Sequence, residues 1–445
     1  MADYLGLADA LAAEIAAGRL RPGDRLPTQR AYARRHRIAD STAIRVYGEL
    51  VRRGLVVGEV GRGTFVRAAP PGPGPALVEP AGRVPVGLEL NYPVTEGQSA
   101  LQARGLAALV RPDVLGGATG PAAAAGTPEA REAAATLLAR GGWRPAPGRI
   151  LFAGNGRQAI AAAISSLVPA GGRLGVEELT YPLVKAVAER LGVRLVPIAV
   201  DDEGIRPDAL AVAHRAAPLA AVYVQPTLHN PLTVTAGEER RIRLAAVLGD
   251  RGPTAIEDTT WAFLAPDAPP PLAAYAPGRT VLVDSLSKRL APGITVGYLV
   301  LPEAGPQGYG ERLARALRSG AWTAAAFPLA AATRWTTDGT VRAVVAAKRA
   351  DAAVRHRLVR ERLAGLAVRT DPRAYYCWWE LPAPWRAETF VAAAAARGIA
   401  VTPGSAFAVA GRAAPDAVRI GLASPPPPVL EYALGELAAL AVAGP

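Results

Sequence analysis

The chain has 445 residues, half of them apolar and one in five charged, with 50 basic against 38 acidic side chains. This balance excludes a disordered tail, a collagen-like repeat and a small disulfide-stapled module, and the length suffices for at least two domains with sizeable cores. Cys377 is the single cysteine, which excludes an intrachain disulfide, a structural zinc site built from sulfur and a thiol redox pair.

No basic stretch precedes an apolar core at the start, and no apolar run approaches the roughly 18 residues of a membrane span. With the lone cysteine, this predicts an unexported protein of the reducing cytoplasm. The formal charge of +12 suits an anionic partner. Its make-up is more telling, since 47 Arg stand against three Lys, namely Lys185, Lys288 and Lys348. In so arginine-rich a chain each primary amine invites a chemical explanation.

Leu5, Ala8, Leu11, Ala12 and Ile15 recur at helical spacing, and Gly18 closes that helix. Thr28 offers an N-cap for a second helix to about Arg37, and Asp40 or Ser41 offers one for a third that ends at Gly54. Leu55–Val57 and Thr64–Val66 then read as two short strands around a glycine-rich turn. Three helices and a hairpin make a winged helix-turn-helix over residues 1–67, carrying 12 Arg against seven acids, with a third helix sized for a major groove.

The runs Gly18–Thr28, Ser41–Leu50 and Gly61–Val66 resemble the GntR-type DNA-binding domain over essentially its full length. The resemblance implies that Arg30, Ser41, Thr42, Arg45, Gly63 and Thr64 face double-stranded operator DNA. Two positions depart from the pattern: Arg37 stands where the interhelical turn usually has Gly, and Asp40 where a DNA-contacting Arg is frequent.

Residues 68–88 are too rich in Pro and Gly for helix or strand and read as a linker. From 89 to 445, short apolar runs such as 194–198, 219–224, 254–257 and 280–283 alternate with Ala- and Leu-rich helical stretches, and Pro425–Pro428 reads as a loop. The alternation predicts an α/β domain with a mostly parallel sheet. Tyr375–Glu380, with Trp378 and Trp379, reads as a strand of a small C-terminal subdomain beginning near residue 340.

Lys288 directly follows a strand-like run, which places its amine at the ligand crevice of an open α/β sheet. A Schiff base to pyridoxal phosphate (PLP) needs such a lysine and a carboxylate for the pyridine nitrogen, and Asp258 ends another strand 30 residues upstream. Gly156, Arg157 and Gln158 open a helix suited to a phosphate. Tyr181 supplies a ring for stacking and Asn230 a donor for the phenolic oxygen.

In order and spacing these pieces resemble a fold-type I aminotransferase domain from about Leu90 onward. With the GntR-like head, the chain is similar to the MocR/GabR group of transcriptional regulators over nearly all its length. The resemblance assigns Lys288 the Schiff base, Asp258 the pyridine nitrogen, Asn230 the phenolic oxygen and Tyr181 the ring face. It gives the phosphate to Gly156, Arg157, Gln158, Ser285 and Ser287, and an effector carboxylate to Arg419. It further implies a head-to-tail homodimer.

Three departures weaken the grip on PLP and make efficient turnover doubtful. Thr295 stands where the family has an Arg, with Arg289 as a substitute phosphate contact; Trp261 replaces a Tyr, and Gly117 replaces a Tyr that reaches the neighbouring subunit's phosphate. Each lost contact to a charged group costs roughly 1.5–3 kcal/mol. The reading favoured is a regulator whose aminotransferase-like domain dimerises and senses PLP with a small amino compound. The alternatives are an active aminotransferase with a DNA-binding head, and a regulator whose large domain is a cofactor-free scaffold.

The remaining polar residues read as structural. Lys185 and Lys348 are expected as surface charges on helices, His36 and His214 as surface residues and His356 as a helix-face residue. His229, beside Asn230, is a candidate for the pocket lining. The pairs Asp201–Asp202 and Glu238–Glu239 read as solvated or capping acids rather than a metal site.

Overall fold

The computed structural model describes residues 4–59, 63–66, 85–249, 251–303, 308–409 and 414–444. The head comprises α1 (Tyr4–Ala16), α2 (Gln29–His36), α3 (Asp40–Arg52) and the antiparallel hairpin of β1 (Val56–Glu59) and β2 (Gly63–Val66). Tyr32, Val46, Tyr47, Leu50, Val56 and Val66 form its buried core, and the Tyr47 hydroxyl donates to the Pro27 carbonyl at 2.7 Å. Thr28 caps α2 by accepting from the Ala31 amide. Helix α3 is capped by Ala39 without a side-chain bond, so Asp40 and Ser41 lie inside its first turn. There Asp40 puts its negative charge near the positive end of the helix. Arg37, between α2 and α3, adopts a left-handed φ of 52°. A side chain there costs about 1–2 kcal/mol, which explains why glycine suits the turn.

Up to residue 84 the expected linker lies outside the described residues; its end does not behave as a linker. Strand β3 (Val86–Gly87) pairs in parallel with Ile399–Ala400, and Leu88 is fully buried in the core of the C-terminal subdomain. The next elements are α4 (Gln98–Ala107), α5 (Pro112–Ala118), α6 (Pro128–Leu138), β4 (Ile150–Ala153), α7 (Gly156–Leu167), β5 (Arg173–Glu177), α8 (Pro182–Arg190) and β6 (Arg194–Ile198). A small hairpin of β7 (Val200–Asp201) and β8 (Gly204–Ile205) leads into α9 (Pro207–Ala216), β9 (Ala221–Val224), α10 (Glu238–Leu248), β10 (Thr254–Asp258) and α11 (Leu272–Tyr275). The large domain closes with β11 (Thr280–Ser285), α12 (Leu286–Arg289), β12 (Gly297–Val300), α13 (Tyr309–Ser319) and α14 (Ala326–Thr337).

Its sheet runs β4-β12-β11-β10-β9-β5-β6, parallel except that β12 is antiparallel to both neighbours. The runs read at 194–198, 219–224, 254–257 and 280–283 form β6, β9, β10 and β11 within a residue or two. Strands β4, β9 and β11 are buried along their whole length, the condition under which continuous apolar runs rather than alternation mark a strand.

Helix α15 (Thr340–Arg362) leads to the C-terminal subdomain, whose antiparallel sheet orders β13 (Val368–Thr370), β14 (Tyr376–Glu380), β17 (Ala417–Gly421) and β16 (Thr402–Pro403). The short β15 (Ile399–Ala400) and helices α16 (Ala387–Ala396) and α17 (Pro427–Ala443) complete it. Trp378 and Trp379 are buried on β14. Pro427 and Pro428 open α17 rather than lying in a loop, because the first helical turn needs no amide hydrogen from them. The wing rests against this subdomain, with the Arg386 guanidinium 3.7 Å above the Phe65 ring.

Two substitutions test these assignments. Leu88→Ala should lower the unfolding free energy by about 2–5 kcal/mol in denaturant titration, the cost of emptying a core site, whereas a linker residue would be neutral. Arg37→Gly should raise the melting temperature of the head by removing the left-handed strain.

Candidate functional site

The parallel strands end on one edge of the sheet, and the polar residues at those ends line a single cavity of about 310 Å³. Lys288, Asp258, Asn230, Tyr181, Gly156, Arg157, Ser285, Ser287, Thr295, Trp261 and Arg419 all line it, together with Asn155, Gln225, Thr260, Phe407 and residues 89–92. Among the expected lining residues, Gln158, Arg289 and His229 are absent.

Lys288 lies in the four-residue helix α12, immediately after β11. Its Nζ donates to the Asn91 carbonyl at 2.5 Å and sits 4.2 Å from the Tyr92 ring centre and 5.3 Å from that of Trp261. Burial, reinforced by the positive charges of Arg419, Arg157 and Lys348, pushes its pKa down to about 7. Half the population is then a neutral, nucleophilic amine near neutral pH.

Asp258 ends β10 and is 4% exposed. Its Oδ2 accepts from the Tyr223 hydroxyl at 2.6 Å and Gln225 Nε2 at 3.0 Å, and its Oδ1 from the Thr260 amide at 2.9 Å. Burial raises its pKa while these donors, Tyr223 foremost, oppose the rise. Gln225 Oε1 in turn accepts from the Asn230 amide at 3.2 Å, so one side chain fixes both the carboxylate and the Asn230 backbone.

A hydroxyl cluster faces the N-terminus of α7. Ser285 Oγ lies 2.8 Å from Ser287 Oγ, which lies 3.0 Å from Thr295 Oγ1. Asn155 caps α7 by accepting from the Gln158 amide at 3.0 Å, leaving the first-turn amides directed outward. Gly156 is required by space, since a Cβ would come within 2.9 Å of Ser285 Cβ. Helix amides and three hydroxyls suit an anion such as a phosphate.

Arg419 on β17 is 7% exposed; its Nη2 donates to the Glu89 carbonyl and, at 3.3 Å, to Thr402 Oγ1. Its Nε has no hydrogen-bond partner among the described residues, and burial lowers its pKa to about 10. Asn230 Oδ1 is likewise buried without a partner among the described residues. Both residues line the cavity, and buried polar atoms without a partner are ones that a ligand or ordered water completes. The fit to PLP is good: an aldehyde-reactive amine, a buried carboxylate, an Asn side-chain amide and a phosphate cup line one space.

Several expectations require correction. Arg289 is not a phosphate contact: it is 8% exposed and its Nη2 pairs with Asp284 Oδ2 at 2.6 Å, because a buried carboxylate must be neutralised locally. Gln158 turns its side chain over Gly154, where a Cβ would meet its Oε1 at 2.4 Å, and its backbone amide is taken by the Asn155 cap. His229 is fully buried beside Glu177, Nε2 to Oε2 3.2 Å, with Nδ1 accepting from the Leu232 amide.

Lys185 and Lys348 are not surface charges. Lys185 Nζ donates to the Ala406 and Ala408 carbonyls, both at 2.8 Å, on either side of the lining residue Phe407. Lys348 is fully buried against the backbone of Lys288 itself. His36 is exposed and stacks on Tyr32, and His214 and His356 are half-buried. Asp201 pairs with Arg240 at 2.8 Å and Asp202 with Arg369 at 2.6 Å. Gly117 is exposed on α5, with open space around it among the described residues. Sequence reading missed residues 89–92 and Phe407, which come from distant segments; Gln225, two residues past Tyr223 at the end of β9, follows the same strand-end logic as Asp258 and was legible.

In the head, Arg30, Ser41 and Arg45 are exposed, and Thr42, Gly63 and Thr64 half-buried. The Arg45 guanidinium folds back to 3.9 Å over the Tyr4 ring.

The model of the aminotransferase class I and II family matches residues 117–437, and that of the bacterial regulatory proteins of the gntR family matches residues 3–66. The chain belongs to the aminotransferase class I and II family. Its GntR head makes it a DNA-binding regulator of the MocR/GabR type. Over 424 residues it is 28% identical to an uncharacterized HTH-type transcriptional regulator, YdeF of Bacillus subtilis, covering 95% of this chain and 90% of the relative. It is 29% identical to the HTH-type transcriptional regulator TauR of Rhodobacter capsulatus, over 65% of each chain. It is 26% identical to the HTH-type pyridoxine biosynthesis regulator PdxR of Corynebacterium glutamicum, over 65% of this chain and 63% of that one. Among solved structures, an archaeal alanine:glyoxylate aminotransferase superposes with a TM-score of 0.72 at 21% identity, over 80% of this chain and 91% of that chain.

Lys288 should react with dilute acetic anhydride at a rate half-maximal near pH 7 and rising above it, as read by peptide mass mapping. A surface lysine would reach that point only around pH 10.

Proposed function

We propose that this protein is a cytoplasmic transcriptional regulator that responds to pyridoxal 5'-phosphate and to a small amino compound. It works as a head-to-tail homodimer whose heads bind an operator in double-stranded DNA. The observation that carries the reading is the meeting of Lys288 Nζ, the Asp258 carboxylate and the α7 N-terminus in one cavity. Lys288 would hold the cofactor covalently, Asp258 its pyridine nitrogen, Asn230 its phenolic oxygen and Tyr181 its ring face. Gly156, Arg157, Ser285, Ser287 and Thr295 would hold its phosphate. When bound, the cofactor supplies an aldehyde that condenses with primary amines and withdraws electrons from them.

The chain's own residues account for the rest. Desolvation lowers the Lys288 pKa to about 7, so that a share of the amine is neutral near neutral pH, and Tyr223, Gln225 and the Thr260 amide oppose the rise that burial imposes on the Asp258 pKa. Arg419, which lines the cavity, would meet an effector carboxylate through its guanidinium, a charge-assisted bond in a site shielded from water. The Ser285, Ser287 and Thr295 hydroxyls stand in for the guanidinium that Thr295 replaces, with lower charge and so weaker affinity. Arg30, Ser41, Thr42, Arg45, Gly63 and Thr64 would meet the DNA, Arg45 after leaving Tyr4. An effector changes operator binding only as far as it favours one arrangement of the dimer over another.

Titrating PLP into the purified protein should produce a visible absorption band, and borohydride reduction should fix the cofactor on Lys288. Lys288→Ala should abolish the adduct and leave the protein folded and dimeric. An adduct that persists on the variant sinks the assignment of Lys288. The absence of any band on the wild type would favour a cofactor-free scaffold, and many turnovers of an amino donor to keto acid would favour an enzyme.

A further inference from the structure

We propose that Lys348 is a positioning residue for Lys288: from the middle of α15 it clamps the backbone that carries the reactive amine, and so sets where that amine stands. The proposal rests on the reading of Lys288 as the cofactor anchor.

Lys348 is fully buried, and its Nζ donates to the Lys288 carbonyl at 3.0 Å and the Leu290 carbonyl at 2.6 Å. Helix α12 spans only Leu286–Arg289, so its closing carbonyls have no following turn to bond. Leu290, at φ −118° and ψ −93°, ends the helix. Its carbonyl also accepts from Gln98 Nε2 at 3.1 Å.

Other contacts fix the rest of the helix. Ser285 Oγ accepts from the Ser287 amide at 3.0 Å at its start, and Arg289 is tied to Asp284 on its flank. The end nearest Lys288 is the part held by a side chain from α15. Lys348 is itself held: the Tyr375 hydroxyl lies 2.7 Å from its carbonyl and 2.8 Å from the Asp351 carboxylate, which also pairs with Arg355 at 2.7 Å.

The choice of an amine follows from shape. An ammonium on a flexible stem carries three donors around one point and can serve two neighbouring carbonyls in a space one lysine wide, whereas a guanidinium is a planar fork. Arginine occupies nearly every other basic position, so lysine here answers a local demand. Burial lowers the Lys348 pKa to about 7, while Asp351 pushes it back up. The groups that face it are Asp351 on α15, Lys288 on α12 and Tyr375. Its charge in turn adds to those of Arg419 and Arg157 in depressing Lys288.

The test uses the full-length protein with Lys348→Met, which keeps the bulk and removes the donors, and Lys348→Gln, which restores two donors without charge. Two readouts are taken: the pH profile of Lys288 acetylation in the cofactor-free protein, by peptide mass mapping, and the PLP dissociation constant from the visible band. In Lys348→Met the acetylation midpoint should move above the wild-type value near pH 7, and PLP should bind at least tenfold more weakly, about 1.4 kcal/mol. Lys348→Gln should keep the upward shift of the midpoint and recover part of the affinity. A folded Lys348→Met variant with an unchanged profile and unchanged affinity overturns the proposal. If that variant does not fold, Lys348→Gln decides by the same criteria. A wild type that takes up no PLP defeats the functional reading, while the acetylation profile still tests whether Lys348 acts on the Lys288 amine.

Discussion

A carboxylate buried at the end of a parallel strand sets the conditions for the whole site. Asp258 is nearly solvent-free, and burial pushes its pKa up. The compensation comes from β9, whose register beside β10 puts Tyr223 opposite Ile256 and so brings Tyr223 and Gln225 to the carboxylate. Gln225 also grips the Asn230 amide, so the β9 loop is shaped by the same requirement. Its chain neighbour Glu257 faces the other way and is met by the Leu272 and Ala273 amides at the start of α11 and by Arg140 and Arg241. One strand end thus organises acids on two faces, and the strands to either side supply the donors.

Much of this was legible in the sequence where the determinants are local. The three helices and hairpin of the head follow from spacing, a Thr cap and glycines. Lys288 and Asp258 were readable because each stands a few residues past a short apolar run, and a parallel sheet gathers the ends of such runs on one edge. The departures from the family pattern acquired physical content: Arg37 bears the backbone strain that glycine avoids, and Thr295 joins a hydroxyl cluster rather than leaving a gap.

The remainder depends on contacts between distant segments. The Asn91 carbonyl meets Lys288 across 197 positions, and Lys348 meets the Lys288 and Leu290 carbonyls across 60 and 58. Nothing local distinguishes a helical lysine that faces solvent from one that enters a core. Arg289 misled for a related reason: adjacent to Lys288 in sequence, it lies on another side of a short helix and is claimed by Asp284. The Pro- and Gly-rich segment misled at its end because composition says where structure is disfavoured and not where it resumes, and at Val86 it resumes as a strand.

The placement of the lysines has a practical consequence. Arginine carries the ordinary electrostatic duties, pairing with acids and capping carbonyls, as Arg241 does toward Ala236, Pro226 and Pro270. Lys288 instead lines the cavity, and Lys185 and Lys348 bond the backbone beside or at its lining residues Phe407 and Lys288. Amine-directed cross-linkers, dyes and coupling surfaces, which on most proteins decorate the exterior at random, would find few lysine handles on this exterior. On this chain they become reporters of the site's interior, and with its one cysteine, Cys377, fully buried, a biosensor or a cross-linking map would need arginine or carboxylate chemistry to see the rest of the molecule.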